Sequence, residues 1–138
     1  MPAVVYPYAI LAGRRSPLIP LGLGYQGKWQ RVQAYVDSGA FYSVFKTDFA
    51  LFLGLVWQQG ERVYVQAGDG GFIPVYLHTV DVQLQRYRFS GRIGFSDYFG
   101  VRFNIIERVS LFERFVICFD DRQGLVRPKP YQDHEDTL

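Results

Sequence analysis

One cysteine, one methionine and two histidines in 138 residues leave little room for chemistries that depend on those side chains. The single Cys118 excludes an intrachain disulfide, and its apolar setting in "FVICFD" reads as a buried, inert thiol. His78 and His134 lie far apart with no cysteine or carboxylate at ligand spacing, so no metal site is read and no cofactor is implied. No apolar run approaches the ~18 residues of a spanning helix, and no secretory leader pattern is legible. The expectation is a soluble protein of a reducing compartment, the cytoplasm by default, with no membrane partner. Charge is scarce as well. A formal net charge of +2, with no basic run longer than Arg14-Arg15, offers no electrostatic footprint for nucleic acid.

What the chain has in quantity is aromatic and apolar side chains. Twelve Phe and ten Tyr suit β-structure, where such side chains fit the pleated surface and pair across strands. The length allows one domain with a real core, not two of ordinary size. Short strand-like runs follow one another, punctuated by glycine, with no repeat at a fixed period. Residues 18–36 read as a hairpin turning around Gly27-Lys28, with Val32, Ala34 and Val36 on one face of the return strand. Thr47 is the expected N-cap of a short helix that Gly54 stops. Residues 61–77 form a second hairpin with a glycine-rich tip, and "TVDVQLQRYRF" and "GRIGFS" a further antiparallel pair, with Val80, Val82 and Leu84 on one face. Phe103 to Ile106 and Phe115 to Phe119 read as strands, with a helix opened by Ser110 and capped reciprocally by Glu113 between them. "RPKPYQDHEDTL" has little to bury and reads as an exposed tail. About eight or nine strands and two short helices make a mainly β barrel or sandwich the natural class.

Chemistry centres on "AYVDSGAFYSVF". Asp37 ends an apolar strand and precedes Ser38, Gly39 and Ala40, small residues that let backbone or a ligand come close. Aspartate, serine and glycine are also ordinary turn formers, and from these letters alone a plain turn is the alternative.

The stretch resembles the active-site segment of the retropepsin-like aspartic proteases: apolar strand residues, Asp37, Ser38, Gly39, Ala40, then Ser43 and Val44. Downstream, the tip Ala67, Gly68, Asp69, Gly70 and Gly71 occupies the position of the flap that closes over substrate in that family. The second half is similar to its bacterial members: Ile105, Ile106, Arg108, Leu111, Phe112, Phe115, Phe119 and Asp120 fall at their places. The resemblance runs from Pro17 to Asp120. It implies a closed antiparallel β-barrel with one or two short helices, a single domain over 1–124, and a C-terminal strand and exposed tail over 125–138. It implies an aspartic endopeptidase in which Asp37 activates water, Ser38 to Ala40 support the active-site loop, and 67–71 close on an extended peptide. Such catalysis takes two carboxylates sharing one proton, and the chain carries one Asp-Ser-Gly. The active unit implied is therefore a homodimer with its two-fold axis between two copies of Asp37, with "VVYPYAIL" and the segment beyond Gly124 as interface strands. An ordinary edge strand is the other reading of "VVYPYAIL". Asp69 has a bland reading too, as a turn former.

One position departs from the family. Glu107 stands where a glycine follows the two aliphatics, and the expectation is a solvated side chain paired with Arg108 or another cation. A Glu107 turned toward Asp37 would instead raise the apparent pKa of the dyad. It keeps open a different class of function, a catalytically silent module of the same fold that holds a peptide or partner protein.

Overall fold

In the computed structural model, residues 4–37, 41–66, 70–98 and 104–131 are described. Two long hairpins lay out most of the sheet. Strands β4 (Leu18–Tyr25) and β5 (Lys28–Val36) pair antiparallel through a two-residue turn at Gln26-Gly27, one position earlier than the sequence suggested. Both turn residues have positive φ, 51° and 83°, the backbone whose twist matches the flanking strands. Val32, Ala34 and Val36 are buried along one face of β5, as their alternation predicts.

The second hairpin differs from expectation in extent. β7 (Glu61–Gln66) pairs with β8, but β8 runs unbroken from Phe72 to Leu84, and β9 (Tyr87–Ser96) returns beside it. The run "TVDVQLQRYRF" is thus split between the end of β8 and the start of β9, and the turn lies at Gln85-Arg86 instead of the glycine at 91. Gln85 takes a positive φ of 53°, a conformation that no glycine or asparagine advertised. Val80, Val82 and Leu84 face the core as expected.

β6 (Ser43–Lys46) leads into α1 (Thr47–Leu53) and a short 3₁₀ turn at Trp57–Gln59. Thr47 is the first helical residue and not the cap; Lys46 holds that place without a side-chain hydrogen bond. Gly54 ends the helix at φ 82°, its N–H donating to the carbonyls of Ala50 and Leu51. β10 is reduced to Ile105–Ile106, and its first predicted residue, Phe103, lies outside the described residues. The helical turn after it spans Arg108–Phe112 and starts from Glu107, so Ser110 sits inside the turn instead of opening it. Its hydroxyl faces the interior.

Strand order closes a ring. β4-β5-β10-β6-β9-β8 are successive neighbours, and β8 returns to β4 through Gly22↔Gln83, Leu23↔Val82 and Gly24↔Asp81. The fold is mainly β, as the sequence indicated. The ring is not purely antiparallel, however: β10 runs parallel to β5, and β6 parallel to β9. Parallel neighbours need a long crossover, which α1 and the β7–β8 hairpin supply between β6 and β9. The ring encloses Ile19, Leu23, Val82, Ile93, Phe95 and Ile106, all fully buried. A smaller cluster of Val44, Ile73, Val75 and Leu77 lies beneath the β7–β8 hairpin.

The terminal segments form a second sheet in which β12 (Leu125–Pro130) lies between β1 (Tyr6–Pro7) and β11 (Phe115–Asp120). β1 therefore pairs within its own chain, and a small hairpin of β2 (Ala9–Leu11) and β3 (Arg14–Ser16) follows it. Two expectations are corrected here. Residues 127–130 are strand, with Val126 and Pro128 buried, Tyr131 beyond them is exposed, and 132–138 of the predicted tail lie outside the described residues. Cys118 is exposed, not buried, because β11 packs only the side bearing Phe115 and Ile117 and turns Val116 and Cys118 outward. Among the described residues no helix is long and apolar enough to cross a membrane.

Candidate active site

Asp37 follows the last residue of β5, and β10 holds it there. Tyr35 N–H donates to the Asn104 carbonyl (2.8 Å), and Asp37 N–H to the Ile106 carbonyl (3.1 Å), continuing the parallel register Ile105↔Tyr35 and Ile106↔Val36 by one step. That step sets Glu107 beside Asp37. Glu107 keeps extended backbone (φ −138°, ψ −162°), and in-register residues of neighbouring strands project to the same side about 4.8 Å apart.

The corner is tied by polar side chains. Asn104, largely buried, donates from Nδ2 to the Gln33 carbonyl (3.1 Å) and accepts the Lys46 N–H at Oδ1 (3.1 Å), joining β5 to β6. Glu107 N–H donates to Ser43 Oγ (2.9 Å), and Ser43 Oγ hydrogen bonds to Ser110 Oγ, linking β6, β10 and the helical turn. Both serines are buried.

The expected solvated Glu107 is overturned, since its side chain is only 2% exposed. Its other proposed partner, the Arg108 side chain, lies outside the described residues. Glu107 Oε2 is buried with no hydrogen-bond partner among the described residues. Burial first, and the charge of Asp37 second, push its carboxyl up to about 8. Glu107 is therefore a neutral acid at neutral pH, because desolvation penalises the charged form.

Asp37 lines an open pocket of about 420 Å³ together with Pro17, Tyr35, Val36, Tyr8, Arg15, Phe119 and Asp121. The outer wall comes from the terminal segments. Tyr8 donates its hydroxyl to Asp121 Oδ1 (2.6 Å), and burial and then that carboxylate push the phenol up to about 12. Arg15 donates to the Gln123 carbonyl (3.1 Å) and lies over Gly124, where a Cβ would collide with the guanidinium and φ is +69°. The positive φ is what favours glycine here, and a larger residue would also have to displace the guanidinium.

Of the predicted site residues, Asp37 is placed at this pocket. Ser38, Gly39, Ala40, Ala67, Gly68 and Asp69 lie outside the described residues. Gly70 and Gly71 are exposed at the end of the β7–β8 hairpin, Gly70 with φ 90°, and neither lines the pocket beside Asp37. Sequence reasoning missed Asn104, Ser110, Tyr8 and Arg15 as parts of this corner. None carries a local signal, since each acts on a residue remote in the chain. Among the described residues no group of three His, Cys, Asp or Glu side chains could hold a metal ion.

No protein-family model matches the chain, and no curated protein sequence matches it significantly. Solved structures do. A retropepsin-like aspartic protease from Rickettsia conorii superposes with a TM-score of 0.63 at 17% identity, covering 92% of this chain and 98% of that one. The EIAV protease, complexed with the inhibitor HBY-793, gives 0.51 at 17% identity, over 72% of this chain and 88% of that one. The ring of strands is the retropepsin-type fold, and both of these neighbours are proteases.

Proposed function

We propose that the chain is an aspartic endopeptidase, active as a homodimer, that hydrolyses peptide bonds with water held between two copies of Asp37. The observation that carries this reading is the placement of Asp37 at the end of β5, its backbone fixed by Ile106 and its residue lining an open pocket, in a retropepsin-type fold. In the reaction one Asp37 carboxylate takes a proton from water, whose oxygen bonds to the scissile carbonyl carbon. The second Asp37, protonated, donates to the carbonyl oxygen. Collapse of the tetrahedral diol breaks the carbon–nitrogen bond, and the amine leaves with a proton. No covalent enzyme intermediate forms.

Ser38, Gly39 and Ala40 support the two active-site loops, and residues 67–71 close as a flap over an extended peptide that adds as a strand to the hairpin edge. The terminal segments contribute to the dimer through the outer face of the β1-β12-β11 sheet, where Val116 is exposed. The protein acts in the cytoplasm. Replacing Asp37 with Asn is expected to lower peptide cleavage at acidic pH by about 10²–10⁴-fold, the usual worth of a positioned acid or base. Retained cleavage would sink the assignment. Specific activity of the wild type should also rise with protein concentration as dimers form.

A second reading rests on Glu107: a buried acid beside Asp37 suits a silent module of the same fold, holding a peptide or partner protein. Peptide binding without cleavage by the wild-type chain, unchanged by Asp37→Asn, would select it.

A further inference from the structure

We propose that Glu107 is a positioning residue for Asp37, a buried carboxyl of the same chain that donates a hydrogen bond to the Asp37 carboxylate and holds it in the orientation hydrolysis requires. The inference rests on the protease reading for its catalytic consequence, but its physical core, the contact between two carboxyls, stands apart from that reading.

Three observations meet at this pair. The register of β5 and β10 continues through Asp37 N–H to the Ile106 carbonyl, which makes Asp37 and Glu107 lateral neighbours. Glu107 is sealed from solvent at 2% exposure, and its Oε2 has no partner among the described residues. A buried polar oxygen left without a partner is costly, whereas a neutral carboxylic acid has an O–H to donate. Among the described residues the hydrogen bonds of Glu107 are made by its backbone: Ser43 Oγ accepts its N–H, and Leu111 N–H donates to its carbonyl (2.9 Å).

The charged group facing Glu107 among the described residues is Asp37, from β5. β6 and the helical turn present the hydroxyls of Ser43 and Ser110, which do not titrate in the working range. With burial holding the Glu107 carboxyl up to about 8, the donor is present through acidic and neutral pH. Above that it ionises, the donor is lost, and a second negative charge stands beside Asp37. A proposed dimer then holds four carboxyls around its axis: two that face substrate and two that brace them from inside each chain.

The test has one arm that needs activity and one that does not. In kinetics, Glu107→Ala should lower kcat about 10–100-fold with KM within about twofold, while Glu107→Gln, whose amide still donates, should keep kcat within about threefold of wild type. The ratio of Glu107→Gln to wild-type kcat/KM should be flat below neutral pH and climb as pH passes about 8, since only the wild type ionises there. A flat ratio throughout, or a Gln variant as impaired as the Ala variant while both remain folded by circular dichroism, overturns the proposal. Without substrate, carboxyl-carbon NMR of the full chain should show Glu107 titrating near 8 and moving to lower pH in Asp37→Asn. A Glu107 titration unchanged by Asp37→Asn overturns the proposal whether or not the chain is a protease. Absence of cleavage with an intact titration shift overturns only the protease reading.

Discussion

The β8–β9 hairpin and the corner where β5, β6 and β10 meet are built from opposite materials. Along β8, Val75, Leu77, Val80, Val82 and Leu84 are all buried, answered on β9 by Tyr87, Phe89, Ile93 and Phe95. Its backbone groups pair in one long antiparallel ladder, and side-chain hydrogen bonds such as Arg88 to Gln83 Oε1 lie on its exposed face. The corner buries Ser43, Asn104, Glu107 and Ser110 instead, over a strand of only two residues. Apolar burial is favourable at roughly 25 cal/mol per Å², whereas buried polar groups at best recover what desolvation costs. The hairpin carries stability, and the corner spends some of it on holding Asp37.

The sharpest way to separate the two is pH. The folded chain holds the Glu107 proton up to about 8, while the unfolded chain releases it near 4.5. The folded state therefore binds the extra proton between those values, so its advantage is complete below about 4.5, falls as pH rises and is gone past about 8. At about 1.4 kcal/mol per pH unit, on the order of 4–5 kcal/mol of stability should be lost across that window. Denaturant melts at pH 4.5 and 8.5 measure it, and Glu107→Gln should flatten the slope; a wild-type slope equal to the Gln variant's removes the distinction between corner and hairpin.

Breaking the hairpin should look different. Phe95, fully buried and edge-on to His78, should cost about 3–4 kcal/mol on replacement by Ala. That loss comes from apolar burial, which has no charge of its own to titrate, and should be the same at pH 5 and pH 8. A loss below about 1 kcal/mol in thermal or urea melts would show that the hairpin does not carry the core. Ser110→Ala should cost less, about 1 kcal/mol, since Ser43 keeps the Glu107 N–H. A cost above about 3 kcal/mol would mean the serine pair, not the β10 register, holds the corner. Smallest of all is the ion pair Arg92–Glu61 on the hairpin's outer face, with side chains 48% and 62% exposed. Arg92→Gln should change stability by less than about 0.5 kcal/mol at physiological salt.

The same contrast divides what could be read from the chain. Alternation placed Val32, Ala34 and Val36 and then Val80, Val82 and Leu84, because a half-buried strand writes its two faces into consecutive letters. It failed at Gln85-Arg86, where a turn forms without its usual residues, and at Cys118, where an apolar strand packs one face only. Within the site, "AYVDSGAFYSVF" was legible because strand, carboxylate and turn are contiguous. Glu107 is legible as a departure from the family, but its burial is not, since nothing local to residues 105–108 tells which side of the strand the core lies on.

By itself the sequence determined a mainly β chain, the strand that ends at Asp37 and the glycine-rich hairpin beyond it. These follow from side-chain period and turn chemistry over a few neighbours. Only the tertiary structure decided that β10 slips in parallel beside β5, that Arg15 crosses over Gly124, and that Glu107 is buried on the strand neighbouring Asp37. Burial and the company of another charge belong to residues seventy positions apart, and a carboxyl's protonation follows from that environment and not from its own letter.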